Sequence, residues 1–265
     1  VVFALSLLAQ ERKELILQAL FRDGKVKVIP MAEQLGVSTE TIRRDLDALE
    51  AEGKLQRVYG GAVRSGHEHG EPPFQQRTQL FVDAKRKIGR RAAELIEDGD
   101  TIALDVGTTM MELAASIQGK RNLTILTNSL PVASHLSEAL NSQRFTGKVF
   151  VLGGQLHAEQ QSLTGPLCEQ MLGQFFVNKA FLSVGGLSLT GGVTDYDLNE
   201  TAVSRQFAHA AREVIVLADQ SKIGVQAFAR IIPLEEADIV ISDQACPKDW
   251  AGTLEQHGVL WIASQ

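Results

Sequence analysis

Apolar and polar positions along the chain follow one rhythm up to about residue 64 and another beyond residue 80. In residues 10–22 (QERKELILQALFR), Leu15, Ile16, Ala19 and Leu20 recur at helical spacing and predict an amphipathic helix. PMAEQLGVS, from Pro30, predicts a shorter helix ending at Gly36, where a tight turn suits a residue that tolerates positive φ. Ser38 or Thr39 is placed to cap a third helix, because a hydroxyl there accepts an orphan backbone N–H. On that third helix Ile42, Leu46 and Leu49 fall on one stripe, leaving Glu40, Thr41, Arg43, Arg44 and Asp47 facing outward. GKLQRVYGGAV, from Gly53, predicts two short strands. The opening VVFALSLLA is apolar but lacks a basic lead-in, and it reads as an extension of the first helix.

RSGHEHGEPPFQQRT, from Arg64 to Thr78, is polar, rich in Gly and Pro, and without an apolar period, as a linker is. Beyond it Ile88, Ala92, Leu95 and Ile96 mark a helix. Short Val/Ile/Leu runs (DTIALD, NLTILT, KVFVL, KAFLSV, REVIVLAD, ADIVISD, GVLWIAS) then alternate with helical segments. That alternation predicts βα units and a mainly parallel sheet covered on both faces, an α/β fold. The expected organisation is a head over 1–64, a linker over 65–78 and an α/β domain over 79–265.

A length of 265 residues allows two domains, and 44% apolar with 22% charged residues is ordinary for a globular protein. No run approaches the ~20 apolar residues of a membrane span, and no targeting segment stands out, so the expected setting is the cytoplasm with no membrane partner. Cys168 and Cys246 make neither a metal cluster nor a disulfide framework and are expected to be free thiols. His67 and His69 are spaced to share a metal but lack a third ligand nearby, and the remaining histidines are dispersed. No metal or other cofactor is expected.

The net charge of −6 argues at first against a nucleic-acid partner. Its distribution changes the picture. Residues 1–64 hold ten Lys/Arg and nine Asp/Glu, a net of +1, while the rest holds 16 and 23, a net of −7. A near-neutral head presents a basic face if its arginines point one way. Helix, turn and capped helix is the geometry that lays a helix in the major groove. Ser38, Thr39 and Thr41 then meet base edges near its start, and Arg43 and Arg44 meet phosphate or guanine. Arg57 and Arg64 on the ribbon are available to the backbone or minor groove. Adjacent arginines on a helix are usually only a solvated face. The joint order of helix, turn, capped helix and ribbon within about 55 residues favours duplex DNA.

These residues carry a family resemblance. VSTETIRRDLDALEAEGKLQRVYGGAV, Val37 to Val63, resembles the winged helix-turn-helix of the DeoR family of bacterial transcriptional regulators, in both its TIRRDL core and its R-V-x-G-G-A ribbon. Tyr59 stands where that family often carries His, at a position flanking the ribbon turn where either ring could pack. The resemblance extends over essentially the whole chain. It implies a C-terminal sensor domain similar in fold to ribose-5-phosphate isomerase and CoA-transferase-like proteins, with a phosphorylated sugar or related metabolite as effector.

LDVGTTMMEL, Leu104 to Leu113, places Gly and two hydroxyl residues between a strand and a helix, offering N–H groups and a helix N-terminus to an anion. Alone the signal is weak, since capping explains it and P-loop spacing is absent. Similar strand ends at Asn128-Ser129, Gly153-Gly154 and Gly185-Gly186 strengthen it, because ligands of open α/β sheets bind outside the carboxyl ends of strands. The resemblance places Asp105, Gly107, Thr108 and Thr109 in a phosphate-side loop with Asn128 nearby, and Gly154 is counted with them as a possible effector contact. It also points to TDYDLNE and LADQSKIG, where Glu200, Asp219 and Lys222 are the candidate polar groups near the sugar. Asp219 could instead cap its own turn, and Glu200 or Lys222 could be solvated.

The function expected is a DNA-binding transcriptional regulator, a repressor of a carbohydrate-catabolic operon under control of a phosphorylated sugar. Operator half-sites and the family together imply a homo-oligomer, a dimer or tetramer. The alternative is a sugar-phosphate isomerase-like or CoA-transferase-like enzyme with an N-terminal extension, using Glu200 or Asp219 as base and Lys222 as electrostatic partner. No nucleophile motif or dinucleotide fingerprint supports that alternative, and the head has no evident use in it.

Overall fold

The computed structural model describes residues 9–23, 25–52, 54–63 and 71–264. The apolar opening over residues 1–8 and the candidates Arg64, His67 and His69 lie outside them. The described chain forms two compact units, residues up to 63 with 78–81, and residues 71–77 with 82–264.

In the head, α1 (Ala9–Asp23) leads through β1 (Lys25–Lys27) into α2 (Val28–Leu35) and α3 (Thr39–Ala51), followed by β2 (Gln56–Val58) and β3 (Gly61–Val63). Gly36 closes α2 at φ 65° and ψ 32°, the left-handed conformation that lets the chain reverse into α3. Ser38 caps α3, its side chain accepting from the Thr41 N–H at 3.1 Å. The predicted stripe of Ile42, Leu46 and Leu49 is fully buried, with Ile16, Leu20, Val26, Met31, Leu55 and Ala62 around it. An ion pair fastens α1 to α3, the Arg12 guanidinium donating to both oxygens of Asp45 at 2.8 and 3.1 Å. The ribbon is a three-stranded sheet in the order β1-β3-β2, with Lys25–Lys27 pairing antiparallel to Gly61–Val63. Two of the three strands are legible in GKLQRVYGGAV. The third, KVK, has one apolar residue and too few positions to show a period.

The second unit opens with α4 (Phe74–Arg77) and α5 (Val82–Glu94). Then follow β4 (Thr101–Leu104), α6 (Thr108–Ser116), β5 (Leu123–Thr127), α7 (Leu130–Asn141), β6 (Gly147–Val151), β7 (Gln155–His157), β8 (Ser162–Thr164) and α8 (Pro166–Leu172). The chain continues with β9 (Val177–Ser183), β10 (Gly186–Ser188), β11 (Gly192–Asp195), α9 (Leu198–Ala210), β12 (Ala211–Leu217) and β13 (Ala229–Ile232). A 3₁₀ turn at Leu234–Glu236 precedes β14 (Ile239–Ser242), α10 (Ala251–His257) and β15 (Leu260–Ala263). Seven strands form a parallel sheet in the order β15-β14-β12-β9-β4-β5-β6.

Strand alternation splits the core in two. Ile102, Leu104, Phe181, Ile215 and Ile241 face one way, with Ile88 of α5, Leu113 of α6 and Leu136 of α7. Ala103, Ala180, Leu182, Val214, Val216 and Val240 face the other, with Leu172 of α8, Phe207 of α9 and Leu254 of α10. Both faces are therefore covered, which is why the strands read as apolar runs rather than alternating ones. A small antiparallel sheet, β10-β11-β13, and the β7-β8 hairpin decorate this frame. Residues 71–77 correct the linker expectation. Phe74 and Arg77 are buried, and the Phe74 amide donates to the Glu159 carbonyl at 2.9 Å. Cys168 and Cys246 are both free thiols. Among the described residues, no helix is long and apolar enough to cross a membrane, and no group of His, Cys, Asp and Glu could hold a metal ion.

Candidate functional site

The exposed face of α3 carries the head's polar candidates. The Ser38 and Thr41 hydroxyls lie 2.8 Å apart at its start, and Thr39 is half-buried beside them. Arg43 and Arg44 are 55% and 79% exposed, with loose contacts of 3.7 and 3.4 Å to Glu40. Exposed pairs of this kind are worth a few tenths of a kcal/mol, on the order of 0.3–0.5, so a phosphate or guanine easily recruits either arginine. Arg57 differs from expectation. Its Nε donates to Asp47 at 2.9 Å and its Nη1 to the Gly61 carbonyl at 2.6 Å, so its guanidinium fastens the ribbon to α3. Tyr59 differs too, since it packs against nothing and stands fully exposed at the turn between β2 and β3. Lys25 and Lys27, exposed on β1, are further cations of the head that the sequence reading passed over.

In the second unit the chain runs outward from β4 through β5 and β6, then returns to place β9 on the other side of β4. The strand order reverses between β4 and β9, and a crevice for ligand belongs outside the carboxyl ends of strands at such a reversal. Asp105, Gly107, Thr108 and Thr109 lie there. The Asp105 amide donates to the Phe181 carbonyl at 3.1 Å, and the Ser183 hydroxyl donates to the Val106 carbonyl. Gly107 opens α6 at φ 116°, and a Cβ on it would fall 2.6 Å from Ser183 Oγ, so no other residue fits. Thr108 and Thr109 form the buried first turn of α6.

Around this loop lie three buried carboxyls. Asp105 accepts from the Ser204 hydroxyl and the Val106 amide, both at 2.8 Å. Asp195, ending β11, accepts from the Tyr196 amide at 2.6 Å. Glu200 sits in the first turn of α9, which Asp197 caps, and accepts from the Ser162 hydroxyl; His157 Nδ1 is 3.5 Å away. Burial pushes all three up to about 7. The Ser204 hydrogen bond partly opposes that for Asp105, Glu71 and Glu200 add repulsion at Asp195, and Ser162 and Arg77 partly relieve Glu200.

The cations face them. Arg77 Nη1 and Lys222 Nζ both meet the Glu71 carboxylate, at 2.7 Å to Oε2 and 2.5 Å to Oε1. Burial works against ionised Glu71, but Arg77 and Lys222 outweigh it and hold its pKa below the ordinary value. Burial likewise works against charged Lys222, and Glu71 and Asp219 overcome it, leaving the ammonium's pKa raised. Lys85 Nζ donates to the Arg77 carbonyl at 2.8 Å; burial, with Lys222 and Arg77 adding, pushes it down to about 8. Arg77 Nη2 donates to Gln160 at 2.5 Å, while its buried Nε has no hydrogen-bond partner among the described residues.

Asp105, Glu200, Asp219 and Lys222 thus belong to one electrostatic cluster with the α6 loop. Asp219 also closes its own turn, accepting from the Ser221 amide and hydroxyl. Asn128 lies at the β5 end, where its Nδ2 donates to the Leu163 carbonyl at 3.0 Å and its buried Oδ1 lacks a partner among the described residues. Gly154 lies apart, its hydrogen facing the Thr164 carbonyl and Cys168. Glu71, Arg77, Lys85 and Asp195 were missed. Lys85 had a signal, since it sits three residues before Ile88 on the inward face of α5, where a charge needs a reason. Chemically, the cations and a helix N-terminus suit an anion, and carboxyls near neutrality suit hydroxyls as donors or acceptors.

Residues 12–67 match the DeoR-like helix-turn-helix domain, and residues 81–244 match the DeoR C terminal sensor domain. The chain is 34% identical over 238 residues to the lactose phosphotransferase system repressor of Staphylococcus epidermidis, covering 88% of this chain and 91% of that protein. It is 32% identical over 256 residues to the HTH-type transcriptional repressor GlcR of Bacillus subtilis (97% and 96% covered). With the HTH-type transcriptional regulator IolR of the same organism, identity is 31% over 250 residues (94% and 96% covered). Among solved structures, ribose 5-phosphate isomerase A from Methanocaldococcus jannaschii aligns over 54% of each chain at 17% identity and a TM-score of 0.37, too distant to bear on function. Both matched segments are those of regulators, which sets aside the isomerase-like and CoA-transferase-like alternative. With head, sensor and near-full-length relatives all of one kind, the chain belongs to the DeoR family of DNA-binding transcriptional regulators and is not an enzyme.

Proposed function

We propose that this regulator represses a carbohydrate operon and is released from or held on its operator by a phosphorylated sugar. The observation that carries the reading is the buried charge cluster at the β4–β9 reversal, where Arg77, Lys85 and Lys222 and the N-terminus of α6 meet carboxyls poised near neutrality. Phosphate suits the cations and the Gly107–Thr109 loop; sugar hydroxyls suit Asp105, Glu200 and Asp219, with Asn128 at the neighbouring strand end. In the head, Ser38, Thr39, Thr41, Arg43 and Arg44 read the duplex operator from the major groove, while Arg57 holds the ribbon in shape. The names of the relatives, a lactose phosphotransferase repressor among them, support a carbohydrate setting.

Control follows from linkage. A ligand that binds one sensor conformation more tightly shifts the population, and DNA affinity shifts by the same coupling free energy. A dimer or tetramer in the cytoplasm completes the proposal, because paired heads match paired half-sites. The boundaries we assign are 1–64 for the head and 79–265 for the sensor, with residues 71–77 allied to the sensor and 78–81 grouped with the head. The test is fluorescence anisotropy on labelled DNA from upstream of the protein's own gene, with competitor DNA and a panel of sugar phosphates. Tight, salt-sensitive binding that one compound changes is the expected result. Specific binding that no phosphorylated sugar alters would overturn the effector class.

A further inference from the structure

Resting on the reading of this charge cluster as a phosphate site, we propose that Glu71 is a built-in occupant of an anion seat formed by Arg77 and Lys222, which the effector's phosphate takes by displacing it. Two cations buried together without an anion are costly, so the seat has to be filled while the protein is unliganded. Glu71 fills it, with one carboxylate oxygen on each cation. It comes from neither a strand nor a helix. It lies in the short irregular stretch ahead of α4, which Phe74, the Phe74 amide and a 3.4 Å contact from Gln160 to the Pro72 carbonyl attach to the sensor.

Three features make a phosphate the better occupant. The seat presents three donors, Arg77 Nη1, Arg77 Nε and Lys222 Nζ, while a carboxylate has two oxygens and leaves the buried Nε without a partner among the described residues. A phosphate monoester offers three terminal oxygens. Its charge near neutrality, about −1.5 to −2, also exceeds the single charge that the Glu71 carboxylate brings to the same two cations. Finally, Arg77 Nη1 lies 4.0 Å from the point a Cβ on Gly107 would occupy, so the seat borders the N-terminus of α6, which favours the same anion. Residues 64–70 join this segment to the last strand of the head, so the residue displaced stands on the path of chain between sensor and operator.

A merely structural Glu71, holding Arg77 and Lys222 in place for the ligand, makes the opposite prediction. Inorganic phosphate is titrated calorimetrically into the full chain and its Glu71→Gln variant at constant ionic strength. If Glu71 holds the seat nine-tenths of the time or more, removing it tightens phosphate binding by about tenfold or more. Equal or weaker binding to the variant, or no binding to either protein, overturns the inference. A measurement on the unmodified chain stands beside it should the variant not fold: saturating phosphate is expected to speed exchange of the Glu71 and Phe74 amides, the two that flank Pro72 and Pro73, and unchanged or slower exchange there overturns the inference. The sugar-phosphate panel on DNA reports separately. A sugar phosphate that alters DNA binding, with no tightening in Glu71→Gln, leaves the effector reading standing and the displacement refuted. Tighter phosphate binding in the variant with no response from any sugar phosphate does the reverse.

Discussion

Raising the pH from about 6 to about 8 should weaken the sensor, and the size of the effect follows from its buried carboxyls. Asp105 and Asp195 rise from 3.8 to about 7, and Glu200 from 4.5 to about 7, in each case first through burial. A carboxyl raised in the folded state holds its proton more tightly folded than unfolded. Its contribution is therefore full below the unfolded value and is lost as pH climbs through about 7. Crossing one unit either side of a folded pKa near 7 costs on the order of 1 kcal/mol per carboxyl, or a few kcal/mol for three. Lys85, pushed down to about 8, runs the other way, because its folded form sheds a proton that the unfolded chain keeps. It returns well under about 1 kcal/mol over the same interval. His135, lowered by burial and by Arg144, also opposes, from a half-buried position.

The net loss is a few kcal/mol, roughly a 10 °C drop in Tm for a unit of this size. Both tryptophans, Trp250 and Trp261, pack edge-to-face in the sensor, so intrinsic fluorescence follows that unit alone. Asp195→Asn keeps the acceptor for Tyr196 and should remove about a third of the fall. A tryptophan-monitored Tm that is flat or rising between these pH values would refute the buried-carboxyl account.

Other outcomes are expected. Arg43→Ala or Arg44→Ala should weaken operator binding by about 1–3 kcal/mol while sparing sensor stability and ligand affinity, and anisotropy showing wild-type DNA affinity would remove α3 as the reading helix. Thr108→Asp sets a negative charge in the buried first turn of α6 beside Asp105 and should abolish the phosphate response while leaving basal DNA binding intact; an unaltered response moves the ligand elsewhere. Asp45→Ala removes both carboxylate oxygens that the Arg12 guanidinium, 12% exposed, meets at the α1–α3 contact and should destabilise the head by about 1–3 kcal/mol in chemical denaturation followed by circular dichroism. A loss below about 0.5 kcal/mol would mean that the pair behaves as a surface one.

What could be read from residues alone followed the range of the interaction. The α3 stripe, the Gly36 reversal and the Ser38 cap are settled within four residues of sequence, and all three stand as expected. Strands β4, β5, β9, β12 and β14 announce themselves because burial on both faces demands consecutive apolar residues. Glu71 and Arg77 gave no such sign. Their order comes from partners far along the chain, Lys222 lying 151 residues from Glu71 and Gln160 lying 83 from Arg77, while the local stretch EPPFQQR has a linker's composition. Asp195 was hidden for a similar reason, since the antiparallel pairing of β11 with β10 and β13 is set by residues up to 39 positions away. Local pattern thus marked a candidate reading helix and a candidate phosphate loop, but only the fold assembled the charges around that loop.

The strand order also sets a timetable for synthesis. A chain emerges N-terminus first, and domains fold as units while it does so. The head completes its own core from residues up to Ala62, long before the centre of the sensor sheet can form. That centre needs β9, and the seat for Glu71 needs Lys222, which follows β12. Until Lys222 has been made, then, the head can pack its own core before the part that would answer a metabolite is complete. A nonsense mutation or proteolytic cut ahead of Lys222 freezes the protein at that stage, so such lesions should act as unresponsive operator ligands and compete with the intact product of a second gene copy.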